Sequence, residues 1–174
     1  AYNLACDNGI TAVFGATLTG STIALADATY EDNMPQVTAS ATATGVTVID
    51  PADPDSEVRS NVFRACFIDP YQGKKMADYA SEKLNAKTAA VFYQTGSDYS
   101  EGLMNAFVEE AKTIGLEIVD TEAFAEGDKD FKAQMTNIAA KNPDVVFCPI
   151  YYGEAGLAIT AARQAGCTST FMGG

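Results

Sequence analysis

The sequence contains no histidine, and this absence excludes several kinds of active site. Histidine is the commonest general base in enzymes, and Ser-His-Asp, Cys-His and HExxH zinc centres all require it. We therefore expect no hydrolytic catalysis of the usual kinds and predict that the protein is not an enzyme. The residue patterns predict no metal and no cofactor.

Positive charge, paired cysteines and long apolar runs are also scarce. Lysine and arginine total 11 against 23 acidic residues, and the net charge of −12 disfavours nucleic acid or an anionic membrane as a partner. The cysteines, Cys6, Cys66, Cys148 and Cys167, form no CxxC pair and have no metal-ligand spacing, so free thiols are expected. No segment is long and apolar enough to span a membrane.

Apolar segments of strand length alternate with helix-length segments along the chain. The interval Ser100–Ile114, for example, has apolar residues at three-and-four spacing and stops at Gly115. Such alternation predicts an α/β fold, a parallel sheet with helices on both faces and ligand sites beyond the carboxyl ends of its strands. The predicted strands are Ile10–Phe14, Gln36–Thr38, Val62–Phe67, Thr88–Tyr93, Leu116–Val119, Val145–Ile150 and Thr170–Met172.

Residues 15–22, GATLTGST, match the phosphate-loop pattern G-x-x-x-x-G-K-[ST] except that Ser21 replaces the lysine. That lysine supplies the positive charge that reaches the outer phosphates, so a di- or triphosphate is not the expected ligand. A helix that opens near Ser21 still presents free N–H groups and a positive dipole end, which a single carboxylate satisfies. The simpler alternative is that Thr19 or Ser21 only caps the helix.

Four stretches together resemble the type 1 periplasmic binding proteins, and among them the branched-chain amino acid binding proteins of ABC transporters. They are VFGATLTGSTIAL, VFRACFIDPYQGKKMADY, VFYQTGSDYSEGL and residues 128–166, and they follow one another in the family's order over nearly the whole chain. The resemblance implies two α/β lobes, incomplete here, that close on a free amino acid. A carboxylate ligand would also explain the missing lysine.

The resemblance assigns six residues to the ligand site: Thr19, Ser40, Ala41, Thr42, Tyr99 and Tyr151. In the family, a serine at the position of Thr19 binds the α-carboxylate of the ligand, and threonine keeps that hydroxyl. The loop that matches residues 40–42 holds the carboxylate and amino groups through its backbone and a threonine side chain. The two tyrosines come from the facing lobe. Of the adjacent residues Tyr151 and Tyr152, Tyr152 is the one that could instead be a packed structural residue.

The resemblance also implies an organisation and a set of partners. Residues 1–67 are expected to be part of lobe 1 and residues 68–174 most of lobe 2, in a chain that looks like an interior fragment. The family's acidic residue that pairs the ligand ammonium is expected just past Gly174. The implied role is an extracytoplasmic, periplasmic or lipid-anchored subunit that delivers an amino acid to a membrane permease.

Two further expectations accompany this interpretation. A fragment with exposed sheet edges could associate with a second copy of itself. The alternative function within the same superfamily is a ligand-sensing regulator or receptor domain. A secretion leader with a lipid-accepting cysteine would favour the transporter subunit, and a leaderless chain would favour a cytoplasmic sensor.

Overall fold

Strands and helices alternate along the chain, as the sequence predicts. The computed structural model describes residues 1–174 and contains all seven predicted strands. The strands are β1 Val13–Phe14, β2 Gln36–Thr38, β3 Val62–Arg64, β4 Thr88–Gln94, β5 Glu117–Phe124, β6 Val145–Cys148 and β7 Thr170–Gly173. The helices are α1 Tyr2–Asp7, α2 Thr19–Glu31, α3 Asp69–Glu82, α4 Asp98–Ile114, α5 Lys132–Lys141 and α6 Tyr152–Gln164. None of these helices combines the length and the apolar character that a membrane crossing requires.

The chain divides into two units, Ala1–Asp69 and Pro70–Gly174, here called unit 1 and unit 2. Unit 1 has a sheet in the order β1-β2-β3, and unit 2 has a sheet in the order β5-β4-β6-β7. Every strand pair in both sheets is parallel. Assignment of residues 1–67 and 68–174 to the two lobes of the family remains a prediction.

Helices cover both faces of the sheet of unit 2. Successive side chains of the interior strand β4 pack alternately into the two apolar layers. Ala90 and Phe92 of β4 pack into a cluster with residues of α5 and α6, whereas Ala89 and Val91 pack into a second cluster with residues of α3 and α4. Since successive side chains of a strand point to opposite faces, two apolar layers form on one sheet.

Helix α3 packs so closely on α4 that it has a glycine, Gly73, at the point of contact. A β-carbon at Gly73 would lie 2.7 Å from both the Leu103 carbonyl oxygen and the Ala106 β-carbon. Helix α4 then ends at Gly115, whose φ of 74° is left-handed and whose N–H donates to the Ala111 carbonyl. The predicted stop at Gly115 is therefore confirmed.

The sheet of unit 1 is covered by α2 on one face only. Val62 of β3 packs with Ile23 and Ala26 of α2 on that face. On the other face the register aligns Phe14, Val37 and Phe63 in one row across the three strands. Phe14 is 81% exposed and Phe63 is 55% exposed, so this row is largely uncovered.

Several element boundaries differ from the sequence expectations. Strand β5 runs to Phe124 and not to Val119, because it lies at the edge of its sheet, where polar residues such as Asp120 and Glu122 are tolerated. Strand β3 ends at Arg64 and not at Phe67. The helix that the sequence predicts over Lys74–Leu84 is α3, Asp69–Glu82, and it starts earlier because an acidic residue followed by proline suits the first turn of a helix.

The long segment between β2 and β3 is irregular but organised. It contains a single 3₁₀ turn, Thr44–Val46, and an isolated antiparallel bridge between Val48 and Val58. Arg59 is buried and donates to the carbonyls of Gly45 and Val48 at 2.6 and 3.0 Å. It also pairs with the exposed carboxylate of Asp27 at 2.6 Å, which ties the loop to α2.

Candidate functional site

The loop that joins β1 to α2 is fixed through its carbonyl groups. The side chains of Gln36, Thr38 and Ser40 donate to the carbonyls of residues 15, 16 and 17 at 2.9, 2.7 and 2.8 Å. These three donors are every second residue along β2 and the turn that follows it, so they lie on one side of the chain. The loop is thereby attached to β2 by polar side chains.

The N-terminus of α2 has no side-chain cap, which makes the capping alternative for Thr19 and Ser21 wrong. The N-cap position is Leu18, and Thr19 is the first helical residue. The hydroxyls of Ser21 and Thr22 donate to the Leu18 carbonyl at 3.1 and 2.8 Å, because in helical geometry a hydroxyl reaches back to the preceding turn.

Thr19 therefore has an uncommitted hydroxyl at the start of a helix. Its side chain is only 3% exposed, and it makes no hydrogen bond within the chain. The backbone N–H groups of residues 19–21 also lack partners in the chain, as expected for a first helical turn without a cap. The region is a concentration of donors next to a loop whose carbonyls are already bound.

The second predicted loop, residues 40–42, lies directly after β2. The hydroxyl of Ser40 is used within unit 1, because it donates to the Thr17 carbonyl. The N–H of Ala41 donates to the Thr38 hydroxyl at 3.3 Å. Thr42 is buried, yet neither its hydroxyl nor its N–H makes a hydrogen bond within the chain. Unit 1 thus brings Thr19 and residues 40–42 to the carboxyl ends of two neighbouring strands.

Three supporting residues were missed by the sequence reasoning. Gln36 and Thr38 hold the first loop, and their alternation with Ser40 was a signal visible in the sequence. Arg64 of β3 donates to the carbonyls of Ala41 and Ala43 at 3.1 and 2.9 Å. Burial lowers the pKa of the Arg64 guanidinium, against the smaller opposing effects of Cys66 and Asp69, but an arginine stays protonated at any physiological pH.

Unit 2 places the two predicted tyrosines together at the carboxyl ends of its strands. Tyr99 is in the first turn of α4, after β4, and Tyr151 immediately precedes α6, after β6. Their rings are stacked, with centroids 5.1 Å apart and an interplanar angle of 7°. Tyr152 is 94% exposed, so the alternative in which Tyr152 is the packed ring is wrong.

The end of β7 fits closely beside Tyr99. A β-carbon at Gly174 would lie 2.8 Å from the Tyr99 hydroxyl oxygen and 2.6 Å from Leu103 Cδ1. Backbone without a side chain is therefore needed at this position for the ring of Tyr99 to keep its place against Tyr151.

The cysteines form no disulfide, and the acidic side chains form no metal-binding cluster. All four cysteines are unpaired, and burial raises the pKa of the Cys148 thiol, which disfavours the reactive thiolate. No group of three or more cysteine, aspartate or glutamate side chains is arranged to hold a metal ion.

The sequence matches the profile of the family described as periplasmic binding protein over residues 1–174. This chain belongs to the periplasmic binding protein family.

Named relatives agree with this membership. The chain is 33% identical over 176 residues to Leu/Ile/Val-binding protein homolog 3 of Brucella melitensis, a match that covers 100% of this chain and 45% of that protein. It is similar to the crystal structure of the leucine binding protein LivK of Thermotoga maritima, with a TM-score of 0.85 and 33% identity, covering 95% of this chain and 45% of that one.

A second crystal structure contains a ligand. The branched-chain amino acid transporter substrate binding protein LivJ of Streptococcus pneumoniae, in complex with isoleucine, has a TM-score of 0.85 and 34% identity, covering 98% of this chain and 46% of that one. The predicted resemblance and the predicted α/β fold of the type 1 periplasmic binding proteins are thus confirmed. The chain spans about 45% of the length of the relatives it matches.

Proposed function

We propose that the protein is the solute-binding subunit of an ABC importer. It binds a free amino acid with a branched or similarly small side chain outside the cytoplasm and delivers it to a membrane permease. Two relatives support this choice of ligand, because one is named a Leu/Ile/Val-binding protein and the other was crystallised with isoleucine.

The observation on which the proposal rests most is the donor cluster at the start of α2. Thr19 is buried with a hydroxyl that no group in the chain engages, and the N–H groups of residues 19–21 stand beside it. Since the carbonyls of residues 15–17 are already bound by other side chains, the positive potential of the helix end is not offset by them. Such a site suits a carboxylate.

Residues 40–42 would extend this carboxylate site and supply an acceptor for the ammonium group. The N–H and hydroxyl of Thr42 are further donors, whereas the carbonyl of Ser40 accepts no hydrogen bond within the chain. An α-amino acid presents both charges on neighbouring atoms, so donors and an acceptor on one short loop match it. The proposed role of Ala41 is confined to its backbone.

Tyr99 and Tyr151 are the proposed ligand-binding residues of unit 2. Two parallel rings form a flat surface that suits an aliphatic side chain on its face, and a tyrosine face also attracts an ammonium group. In unit 2 these rings would favour an amino acid with an aliphatic side chain over one with a charged side chain.

Titration calorimetry on the intact protein tests the proposal. Leucine, isoleucine, valine, threonine and alanine form the panel, with leucinol, benzoate and ATP as controls. We expect the aliphatic amino acids to bind, leucinol to fail because it lacks the carboxylate, and benzoate to fail because it lacks the ammonium. Tight binding of ATP, or the absence of binding by every amino acid, would overturn the proposal.

A further inference from the structure

Residues 41–43 form a buried segment without regular secondary structure, directly before the 3₁₀ turn Thr44–Val46. Ala41, Thr42 and Ala43 are all buried. Buried peptide groups need hydrogen-bond partners, and an irregular segment cannot find them in a helix or a sheet. The partners of this segment therefore have to come from elsewhere in unit 1.

The chain after Val62 supplies most of these partners, chiefly through Arg64, and the 3₁₀ turn adds the Val46 N–H, which donates to the Ala43 carbonyl at 3.2 Å. Nη1 of Arg64 donates to the carbonyls of Ala41 and Ala43 at 3.1 and 2.9 Å, and its Nη2 donates to the Thr44 carbonyl at 3.4 Å. The N–H of Asp69 donates to the Thr42 carbonyl at 3.0 Å. Four consecutive carbonyls, those of residues 41–44, are thus bound from a single short stretch of sequence.

One of these peptide groups links Arg64 to the candidate site. The carbonyl of Ala41 and the N–H of Thr42 belong to the same peptide, which is trans. In a trans peptide the C=O and N–H bonds point in opposite directions. Because Arg64 binds the carbonyl, the N–H of Thr42 faces away from the guanidinium, and it has no partner within the chain.

The positive charge of Arg64 also strengthens that N–H as a donor. Hydrogen bonding at one end of a peptide polarises the group and makes its other end a better partner, most of all where water is largely excluded. A cation that binds the carbonyl oxygen draws electron density toward it, which makes the N–H more positive. Of the three peptides whose carbonyls Arg64 binds, the Ala41–Thr42 peptide is the one whose N–H belongs to the candidate loop of residues 40–42.

We propose that Arg64 is a positioning residue for the ligand carboxylate: it orients and polarises the Ala41–Thr42 peptide so that the Thr42 N–H donates to that carboxylate. This inference rests on the proposed function and adds to it a residue that makes no contact with the ligand. The charge of Arg64 acts on the ligand through one peptide group.

Arginine is required here because of its shape as well as its charge. Its planar group presents several donors in a fixed fork, and at this position they reach three carbonyls and, at 2.8 Å, the hydroxyl of Thr47. Lysine has one nitrogen and cannot hold these acceptors in the same arrangement. Arg64→Lys therefore keeps the charge and loses the geometry.

Arg59 provides a matched control for this substitution. Arg59 is buried and Arg64 is half-buried, and both donate to backbone carbonyls of unit 1, but those bound by Arg59 belong to Gly45 and Val48 and not to residues 41–44. In the intact protein we expect Arg64→Lys to weaken leucine binding by about tenfold and Arg59→Lys to change it by less than about twofold. Calorimetry with leucine and denaturant unfolding on each variant separate affinity from stability.

A second measurement observes the amide itself. With saturating leucine, the proton resonance of the Thr42 N–H should move downfield in the unaltered protein and in Arg59→Lys. In Arg64→Lys the shift should be clearly smaller. A role confined to stability would lower the unfolding free energy of both variants without changing this shift.

The outcomes distinguish the inference from the proposed function. Unchanged leucine affinity and an unchanged Thr42 shift in Arg64→Lys would overturn the inference alone. If the unaltered protein binds no amino acid, the proposed function fails and the inference fails with it. Should Arg64→Lys not fold, Thr47→Val removes one acceptor of the guanidinium at constant shape, and leucine affinity equal to that of the unaltered protein would overturn the inference.

Discussion

The two units are stabilised by different kinds of buried group. Nine of the eleven buried polar side chains lie in unit 1, whereas twenty-five of the thirty buried apolar residues lie in unit 2. Unit 2 has a helix layer on each face of its sheet, and unit 1 has one helix, α2, on one face. A polar, hydrogen-bonded interior and an apolar, close-packed interior therefore occur in one chain.

The difference reflects what each unit has to hold in place. Irregular loops cannot satisfy their own peptide groups, so unit 1 uses the side chains of Gln36, Thr38, Arg59 and Arg64 for that purpose. The candidate residues of unit 2 are rings at the starts of two helices, and these helices are fixed by apolar packing. The candidate anchors for a charged ligand, Thr19 and residues 40–42, lie in unit 1, the unit with the more polar interior.

The largest expected effect concerns the apolar core of unit 2. Phe107 is fully buried, and its ring stacks on Phe147 with centroids 4.3 Å apart. We expect Phe107→Ala to lower the free energy of unfolding by about 3–5 kcal/mol, since both transfer energy and packing are lost. Urea denaturation followed by circular dichroism measures the change.

Phe63→Ala is the matched substitution in unit 1. Its ring lies on the uncovered face of the sheet, so the free energy of unfolding should change by no more than about 0.5 kcal/mol. A loss in Phe63→Ala as large as that in Phe107→Ala would contradict the contrast between the two units.

The next effect concerns binding and separates two threonines of α2. Thr19→Val removes a buried hydroxyl that is unused in the chain, so we expect leucine affinity to fall by about 1.5–3 kcal/mol, because a charged carboxylate would lose a donor. Thr19→Ser keeps the hydroxyl and should retain most of the affinity. Calorimetry on the intact protein provides the measurement.

Thr22→Val is the control for the same substitution one turn away from the donor cluster. The Thr22 hydroxyl donates to the Leu18 carbonyl at 2.8 Å, so its loss should affect stability and leave leucine affinity nearly unchanged. Equal affinity losses in Thr19→Val and Thr22→Val would remove Thr19 from the candidate site.

A third prediction tests the polar interior of unit 1 directly. Gln36 is fully buried, donates to the Gly15 carbonyl at 2.9 Å and accepts from the Thr29 hydroxyl at 2.7 Å. Gln36→Met keeps the size of the side chain but removes the donor of the Gly15 carbonyl and leaves the Thr29 hydroxyl with only the Ala26 carbonyl at 3.1 Å, so the free energy of unfolding should fall by about 1–3 kcal/mol. Chemical denaturation of the variant checks the value.

Gln134→Met repeats this substitution in unit 2. Gln134 is half-buried and donates to the Ala123 carbonyl at 3.3 Å, where water can replace the lost bond. The change in unfolding free energy should be within about 0.5 kcal/mol. If both glutamines cost the same, burial of the polar network in unit 1 is not what distinguishes the units.

The sequence was informative about elements and much less so about the contacts that hold the loops. All seven strands were found because apolar runs between turns are a local signal, and Gly115 ended α4 as its left-handed geometry requires. The polar half of β5 was missed, because an edge strand can be polar and shows no apolar run. Its extent is decided by pairing with β4, which is distant in sequence.

The candidate site shows the same division between local and long-range information. Thr19, residues 40–42 and the two tyrosines were named from a resemblance, and their roles remain predictions. The Arg64 contact to the Ala41 carbonyl spans 23 residues of sequence, and nothing local to either residue indicates it. The capping alternative for Thr19 was wrong because the helix begins one residue earlier than a cap at Thr19 would require, with Leu18 at the N-cap position.

The smallest expected effect is a pH-dependent one, at a polar contact of the apolar unit. Oδ2 of Asp144 accepts from the N–H groups of Lys87 and Thr88 at 2.7 and 3.0 Å and from the Thr88 hydroxyl at 3.1 Å. The backbone hydrogen bond from Lys87, followed by that from Thr88, lowers the pKa of the Asp144 carboxyl below its ordinary value of 3.8.

A carboxyl whose folded-state pKa is depressed adds stability above its unfolded-state pKa, and this stability is lost as the pH falls through the folded-state value. Asp144 is exposed, so solvent screening keeps its contribution small, and Asp144→Ala should cost about 0.5–1 kcal/mol at pH 7. The difference between variant and unaltered protein should shrink steadily below pH 3.8, where the aspartate itself becomes protonated. Urea denaturation of both proteins across this range provides the measurement. A difference that is the same at pH 7 and in acid would show that the side chain acts through packing, because a charge-dependent hydrogen bond cannot survive protonation unchanged.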